Sequence, residues 1–148
     1  MTPIQVTEVM DFIPHRPPMV WVDEVLRFSQ IDGECTLRLR QGGLYLGERG
    51  LRPSSCLELI AQSYGFISTC YITRISDPGA PPMKRAMLVS FKDAKFAPRA
   101  IFESLRLGDV LRMPIEGVRT VGPITAFHGR ALRGDDLLCD VQMRTFCE

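Results

Sequence analysis

Arg52 to Phe66 reads RPSSCLELIAQSYGF, and this stretch decides the fold because it predicts a long apolar helix. Apolar residues recur at helical spacing from Leu57 onward, and the pattern continues to about Arg74. Ser55 and Glu58 have the S-x-x-E spacing of a capping box at a helix start. Few polar groups interrupt the middle of the segment, so the helix should be buried on nearly all sides.

Strand patterns flank the helix on both sides. An apolar strand over about 20–26 leads through the hairpin signal Asp32-Gly33 to a return strand near 35–40. After the helix, period-two alternation predicts strands at 86–96, 109–119, 123–133 and 137–147. Pro114 cannot donate to a ladder, which indicates an edge strand or a bulge there. Two strands, a buried helix and four more strands indicate an α+β fold.

Shorter elements fill the remaining sequence. Residues 7–12 predict a short amphipathic helix that Pro14 stops, and 98–107 have room for one helical turn. The segments 41–53 and 76–84 are rich in Gly and Pro and predict loops.

The composition is that of an ordinary globular protein. The chain has 148 residues, 45% hydrophobic and 24% charged, which suits one domain with one core. A net charge of +1 gives no general attraction to nucleic acid or to an anionic membrane. Five cysteines without a C-x-x-C pair, and only two histidines, predict reduced thiols and no metal site. Without a leader or an apolar span, we expect a cytoplasmic protein.

Three motifs resemble one known family. They are PHRPPMVWVDEVL (14–26), LELIAQ (57–62), and FKDAKF followed by LRLGD (91–96 and 105–109). They resemble the beta-hydroxyacyl-acyl-carrier-protein dehydratases, and most of all the dehydratase-like proteins of aryl-polyene clusters. The resemblance implies the hotdog fold over 1–148 as a single domain, with one curved antiparallel sheet of about six strands wrapped around a long central helix.

The resemblance also implies an acyl-thioester site. In that family a histidine is the base and an acid on the central helix protonates the departing hydroxyl of a 3-hydroxyacyl thioester, without a cofactor. The acid falls on Glu58, and a helical turn later Gln62 would orient it. Burial should raise the pKa of Glu58. The candidate substrate-binding residues are Ser54, Ser55, Cys56, Phe66, Phe91, Lys95 and Phe96.

The helix start carries further hypotheses. The amides of Ser54 to Leu57 are expected to be exposed and able to bind an oxyanion. Glu58 has a plainer interpretation as a capping residue that only closes the helix start. The helix dipole would lower the pKa of the Cys56 thiol and make it a nucleophile, although a buried cysteine is more often packing.

The family's catalytic histidine has no counterpart. The loop before the helix reads YLGERGLRPSS (45–55), and the histidine position falls near Leu44, Tyr45 or Leu46. His15 is predicted to be structural, near the proline-rich segment, and His128 to be a satisfied sheet residue.

Three functions remain open. The first is a dehydratase or isomerase with its site completed by a partner, in a homodimer, a heterodimer with a histidine-bearing homologue, or a higher oligomer. The second is a non-catalytic acyl-binding subunit. The third is a thioesterase that uses Glu58 to activate water. In each case the ligand is a thioester of acyl carrier protein or coenzyme A.

A basic run is either a docking surface for an acidic carrier protein or a solvated strand face. It comprises Lys84, Arg85, Lys92, Lys95, Arg99 and Arg106.

Overall fold

The computed structural model describes residues 2–84 and 86–147, apart from the side chains of residues 86, 87 and 147. Two helices lie among the strands: α1 (Ser55–Tyr71), which continues as a π-helical segment over Ile72–Ser76, and α2 (Arg99–Glu103). The strands are β1 (Ile4–Gln5), β2 (Glu24–Phe28), β3 (Gly33–Arg38), β4 (Leu46–Gly47), β5 (Gly50–Leu51), β6 (Ala86–Phe96), β7 (Val110–Val121), β8 (Ile124–Arg133) and β9 (Asp136–Cys147).

Within the described residues, seven strands form one antiparallel sheet in the order β1-β2-β3-β7-β8-β9-β6. The sheet wraps around α1, which contacts β2, β3, β7, β8 and β9. Leu59, Ile60 and Phe66 of α1 are fully buried against the inner face of the sheet. This confirms the α+β hotdog architecture and the buried central helix. The additional strand is β1, which is too short for a period-two pattern to reveal.

One stripe of α1 is only partly covered. Ala61, Gly65 and Ser68 follow one another at helical spacing and are half-buried. The stripe begins at Glu58, so the open side of the helix starts at the predicted acid.

Two local predictions are wrong. Pro114 lies in β7, which is an interior strand between β3 and β8, and the register shift falls later, between Glu116 and Arg119. The N-terminal segment forms two 3₁₀ turns, Val6–Glu8 and Met10–Phe12, instead of one amphipathic helix. The buried residues Val6 and Val9 are three apart, a spacing that places them on one side of a 3₁₀ turn.

The predicted capping box does not form. Ser54 is the N-cap residue, and its side chain makes no capping hydrogen bond. The Ser55 hydroxyl instead donates to the carbonyl oxygen of Tyr45 at 2.9 Å, which ties the helix start to the preceding loop. The Glu58 carboxylate is therefore available for contacts away from the helix start.

Other sequence predictions agree with the structure. The strands after α1 lie within a few residues of their predicted bounds, and α2 is the predicted helical turn. The loop before α1 contains the small hairpin of β4 and β5, which the sequence pattern did not predict. No helix in the described part of the chain is long and apolar enough to cross a membrane.

The helix approaches the sheet most tightly at Gly129 of β8. A Cβ atom there would lie 2.3 Å from Ile60 Cγ2 and 3.2 Å from Ile115 Cδ1. Both neighbours are fully buried and have little freedom to move. Gly129 therefore sets how deeply α1 lies against the sheet.

We expect Gly129→Ala to lower the free energy of unfolding by about 1–3 kcal/mol, because the added methyl group overpacks this contact. Gly65→Ala is the matched control: a Cβ on this helical glycine meets no atom within 4 Å. It should leave stability unchanged or raise it by up to about 1 kcal/mol. Urea denaturation followed by circular dichroism measures both, and equal effects of the two substitutions would contradict this account.

Candidate functional site

Glu58 lies on the first turn of α1 beside a small cavity. Its side chain is 34% exposed, and the cavity has a volume of about 60 Å³. The walls come from the N-terminal segment, α1, the segment before β6, and strands β6 and β9. They are formed by Ile13, His15, Glu58, Ala61, Gln62, Tyr64, Gly65, Met83, Leu88 and Thr145. A second cavity of about 260 Å³ also has Met83 as a wall.

His15 contacts the predicted acid. Its Nε2 lies 3.3 Å from Glu58 Oε1, and its side chain is 27% exposed. Sequence reasoning assigned His15 a structural position near the prolines and did not place it at this site. The two residues are 43 positions apart, and no local pattern links them. One observation could have indicated this contact: His15 precedes β2 in the chain, and β2 packs against α1.

Gln62 holds the site together. The backbone N–H of Trp21 donates to Gln62 Oε1 at 2.9 Å, which fixes the orientation of the side-chain amide. Gln62 Nε2 then donates to the carbonyl oxygen of Met19 at 2.7 Å and to Glu58 Oε1 at 3.0 Å. The predicted position of Gln62 beside Glu58 is therefore confirmed, while a catalytic role for either residue stays a prediction.

The orientation of the Gln62 amide indicates which groups donate and which accept hydrogen bonds at the site. Because Gln62 Nε2 donates to Glu58 Oε1, that oxygen is an acceptor. The neighbouring His15 Nε2 is then best placed as a second donor to the same oxygen. The arrangement favours an ionised Glu58 carboxylate paired with an N–H group of His15.

The expected rise in the pKa of Glu58 is wrong. Burial raises this pKa. The hydrogen bonds from His15 and Gln62 and the positive charge of His15 together lower it by more, so the net shift is downward. Partial burial alone suggested a proton donor. The contacts instead stabilise the charged form.

The residues at the start of α1 do not present free donors to this cavity. The N–H groups of Ser55, Cys56 and Leu57 donate to the carbonyl oxygens of Arg52, Pro53 and Ser54 at 2.9–3.1 Å. The expectation that the amides are exposed is therefore wrong for these three residues, whereas Ser54 is exposed and its role stays a prediction. Ser55 and Cys56 are buried, and neither lines the Glu58 cavity.

The Cys56 thiol is fully buried, and burial raises its pKa. The predicted lowering by the helix dipole is wrong because desolvation of the thiolate dominates. Packing is the role that fits its surroundings.

The remaining candidates lie apart from Glu58. Phe66 is fully buried in the core, whereas Phe91, Lys95 and Phe96 are exposed on β6. None of them lines the Glu58 cavity, although Leu88 of the same strand does. Their part in substrate binding stays a prediction. In the basic run, Arg85 lies outside the described residues, and the other five side chains are exposed.

His128 provides a contrast to His15. Its Nδ1 lies 2.9 Å from Glu116 Oε1 and its Nε2 lies 2.8 Å from Asp140 Oδ1, across strands β7, β8 and β9. Both ring nitrogens are engaged, which confirms the predicted satisfied sheet position.

We expect the pKa of Glu58 to lie below that of an ordinary glutamate and to rise in His15→Gln, while His128→Gln leaves it unchanged. Since the folded-state pKa is lowered, the pairing stabilises the fold above the pKa of the unfolded chain. This contribution is lost as pH falls through the folded pKa. Carbon-detected NMR titration measures the pKa, and the same value in wild type and His15→Gln would contradict the pairing.

Comparisons with known proteins agree with this fold. A 3-hydroxyacyl-[acyl-carrier-protein] dehydratase from Shewanella oneidensis is 23% identical over 151 residues, which covers 97% of this chain and 92% of that protein. The dehydratase heterocomplex ApeI:P from Xenorhabdus doucetiae aligns with a TM-score of 0.80 at 20% identity, covering 95% of this chain and 90% of the matched chain.

A hypothetical thioesterase with coenzyme A from Streptococcus pneumoniae aligns with a TM-score of 0.57 at 14% identity, covering 84% of each chain. This likeness extends to the fold alone. The ApeP-like family model, described as ApeP dehydratase, matches residues 7–148, so nearly the whole sequence is accounted for by one family. The chain therefore belongs to the ApeP-like dehydratase family.

Proposed function

We propose that this chain is an acyl-thioester-binding hotdog protein of the 3-hydroxyacyl-acyl-carrier-protein dehydratase type, with Glu58 as its active-site carboxyl group. The observation that carries the proposal is the Glu58 carboxylate at the wall of an apolar cavity, oriented by Gln62 and paired with His15. Membership of a dehydratase family supports the reaction class.

The paired side chains suit an elimination. Glu58 takes the proton from the carbon next to the thioester carbonyl, and the protonated form of His15 gives a proton to the departing hydroxyl. The Cα–H and Cβ–O bonds break, a carbon–carbon double bond forms, and water leaves. Glu58 then returns its proton to His15 across their 3.3 Å contact, which restores both groups.

These roles reverse those implied by the sequence resemblance, in which the helix acid is the proton donor. Two features support the reversal: Oε1 accepts an N–H from Gln62, and the pKa of Glu58 is lowered. An ionised carboxylate is ready to accept a proton and has none to donate.

A second hotdog chain is proposed to complete the site. Strand β6 is at the edge of the sheet, and Leu88, Val89, Phe91 and Phe96 expose apolar side chains along it. Leu88 is also a wall of the Glu58 cavity, so a chain paired with β6 would cover that cavity. The partner is another copy or a histidine-bearing homologue; the related dehydratase heterocomplex supports the second arrangement.

The ligand is proposed to be a thioester of acyl carrier protein or coenzyme A. Lys92 and Lys95 are exposed on the same edge strand, and Arg99 follows it on α2. Cations along this edge strand and α2 would attract an acidic carrier protein or the phosphate of a pantetheine arm.

We expect the full-length chain, alone or co-expressed with neighbouring gene products, to convert 3-hydroxyoctanoyl-N-acetylcysteamine thioester to the conjugated enoyl thioester. Glu58→Gln and His15→Gln should each lower kcat at least about 100-fold, as is typical for loss of a general acid or base. His128→Gln is the matched control and should retain wild-type turnover, since that ring lies between Glu116 and Asp140 on the sheet. Ultraviolet absorbance of the enoyl thioester follows the reaction.

The other outcomes separate the alternatives. Wild-type turnover by Glu58→Gln would exclude the proposed function. Full activity of His15→Gln only in the presence of a homologue would assign the histidine to the partner. Binding without turnover indicates an acyl-binding subunit, and release of free thiol that depends on Glu58 indicates a thioesterase.

We expect Val89→Glu to prevent chain association, because it places a charge on the exposed β6 edge, where Val89 is 51% exposed. Val121→Glu, at a position 82% exposed at the end of β7, is the control and should leave the assembly intact. Analytical ultracentrifugation should give dimers or heteromers for wild type and Val121→Glu, and monomers for Val89→Glu. An unchanged assembly in Val89→Glu would place the interface elsewhere.

A further inference from the structure

Thr145, a residue that lines the Glu58 cavity, carries a buried hydroxyl group without a hydrogen-bond partner among the described residues. It lies on β9 opposite Leu88 of β6 on one side and Thr125 of β8 on the other. The residue is 5% exposed, and its Oγ1 is buried without a hydrogen-bond partner among the described residues. Together with His15 and Glu58, it lines the same small cavity.

An unpaired hydroxyl is unusual in a protein interior. A buried polar group without a partner destabilises the fold, and most such groups are hydrogen-bonded. The neighbouring Thr125 has the usual hydrogen bond of a buried hydroxyl group, since its Oγ1 lies 3.0 Å from Thr120 Oγ1. Thr145 has the same residue type in the same part of the sheet, but its hydroxyl has no such partner, and the residue lines the Glu58 cavity.

We propose that the Thr145 hydroxyl donates a hydrogen bond to the carbonyl oxygen of a bound acyl thioester. This inference rests on the proposed function, because it names the group that holds the substrate beside Glu58 and His15. Removal of the proton next to the carbonyl transfers negative charge to that oxygen, and a donor already in place stabilises the enolate. The hydroxyl would supply a donor that the amides of Ser55 to Leu57 cannot, since they bond to backbone carbonyls.

The alternative is a purely structural threonine that packs through its methyl group. Turnover and the carbonyl band separate the two roles, whereas stability tests whether the hydroxyl is unpaired. Replacing an unpaired hydroxyl by a methyl group of the same shape removes a desolvation cost and should leave the melting temperature unchanged or raise it. Replacing Thr125 in the same way breaks its hydrogen bond with Thr120 and should lower it.

The experiment compares Thr145→Val, Thr145→Ser and Thr125→Val in the full-length chain, alone and co-expressed with neighbouring gene products. We expect Thr145→Val to lower kcat for 3-hydroxyoctanoyl-N-acetylcysteamine thioester at least about 100-fold, the lower end of the effect of one oxyanion donor, without lowering the melting temperature. Thr145→Ser keeps the hydroxyl and should restore most of the turnover. Thr125→Val should lower the melting temperature and keep wild-type kcat.

A second measurement does not depend on turnover. Isotope-edited infrared spectroscopy of bound octanoyl-N-acetylcysteamine, labelled with ¹³C at the carbonyl, reports the hydrogen bond directly. The carbonyl band should move to lower frequency on binding to wild type, Thr145→Ser and Thr125→Val. This shift should be absent with Thr145→Val.

The two proposals can fail separately. An unchanged kcat and carbonyl band in Thr145→Val would overturn the Thr145 inference, and so would a fall in melting temperature as large as that of Thr125→Val. The proposed function would still stand if Glu58→Gln abolishes turnover in the same assay. If wild type lacks turnover but its carbonyl shift depends on Thr145, the dehydratase proposal fails and the binding role of Thr145 is retained.

Discussion

The side-chain amide of Gln62 is the interaction on which the site depends. It is almost fully buried, and it connects α1 to the segment Met19–Trp21 and to the Glu58 carboxylate. That segment follows the prolines after His15, so the same amide holds both elements of the His15–Glu58 pair in place. A buried amide with its hydrogen bonds satisfied is rigid, because breaking any one of them leaves a polar group without a partner.

The packing of α1 explains why the site opens where it does. At Gly129 the sheet lies so close to the helix that no side chain fits between them, and the strands cover most of the helix surface. Coverage stops at the stripe that begins with Glu58, next to the edge strand β6. Glu58 is therefore exposed at the side of the protein that carries the edge strand β6.

The sequence predicted the main elements because their patterns are local and strong. The apolar helix, the four later strands and the positions of Glu58 and Gln62 all follow from periodicity and from the family resemblance. The errors arose where neighbours in space outweigh the local pattern. Pro114 lies in an interior strand, the Ser55 hydroxyl bonds to Tyr45 instead of capping the helix, and burial raises the pKa of Cys56 despite its place at a helix start.

By itself, the sequence determined the α+β hotdog architecture, the family, and a carboxyl group one helical turn from an amide. Periodicity and short motifs carry that information within a few residues. Only the tertiary structure decided the charge state of that carboxyl group and which residues lie beside it. His15 contacts it and Thr145 lines the same cavity, both from distant parts of the chain. The pKa of Glu58 is the balance between burial and donors that only the folded chain brings together.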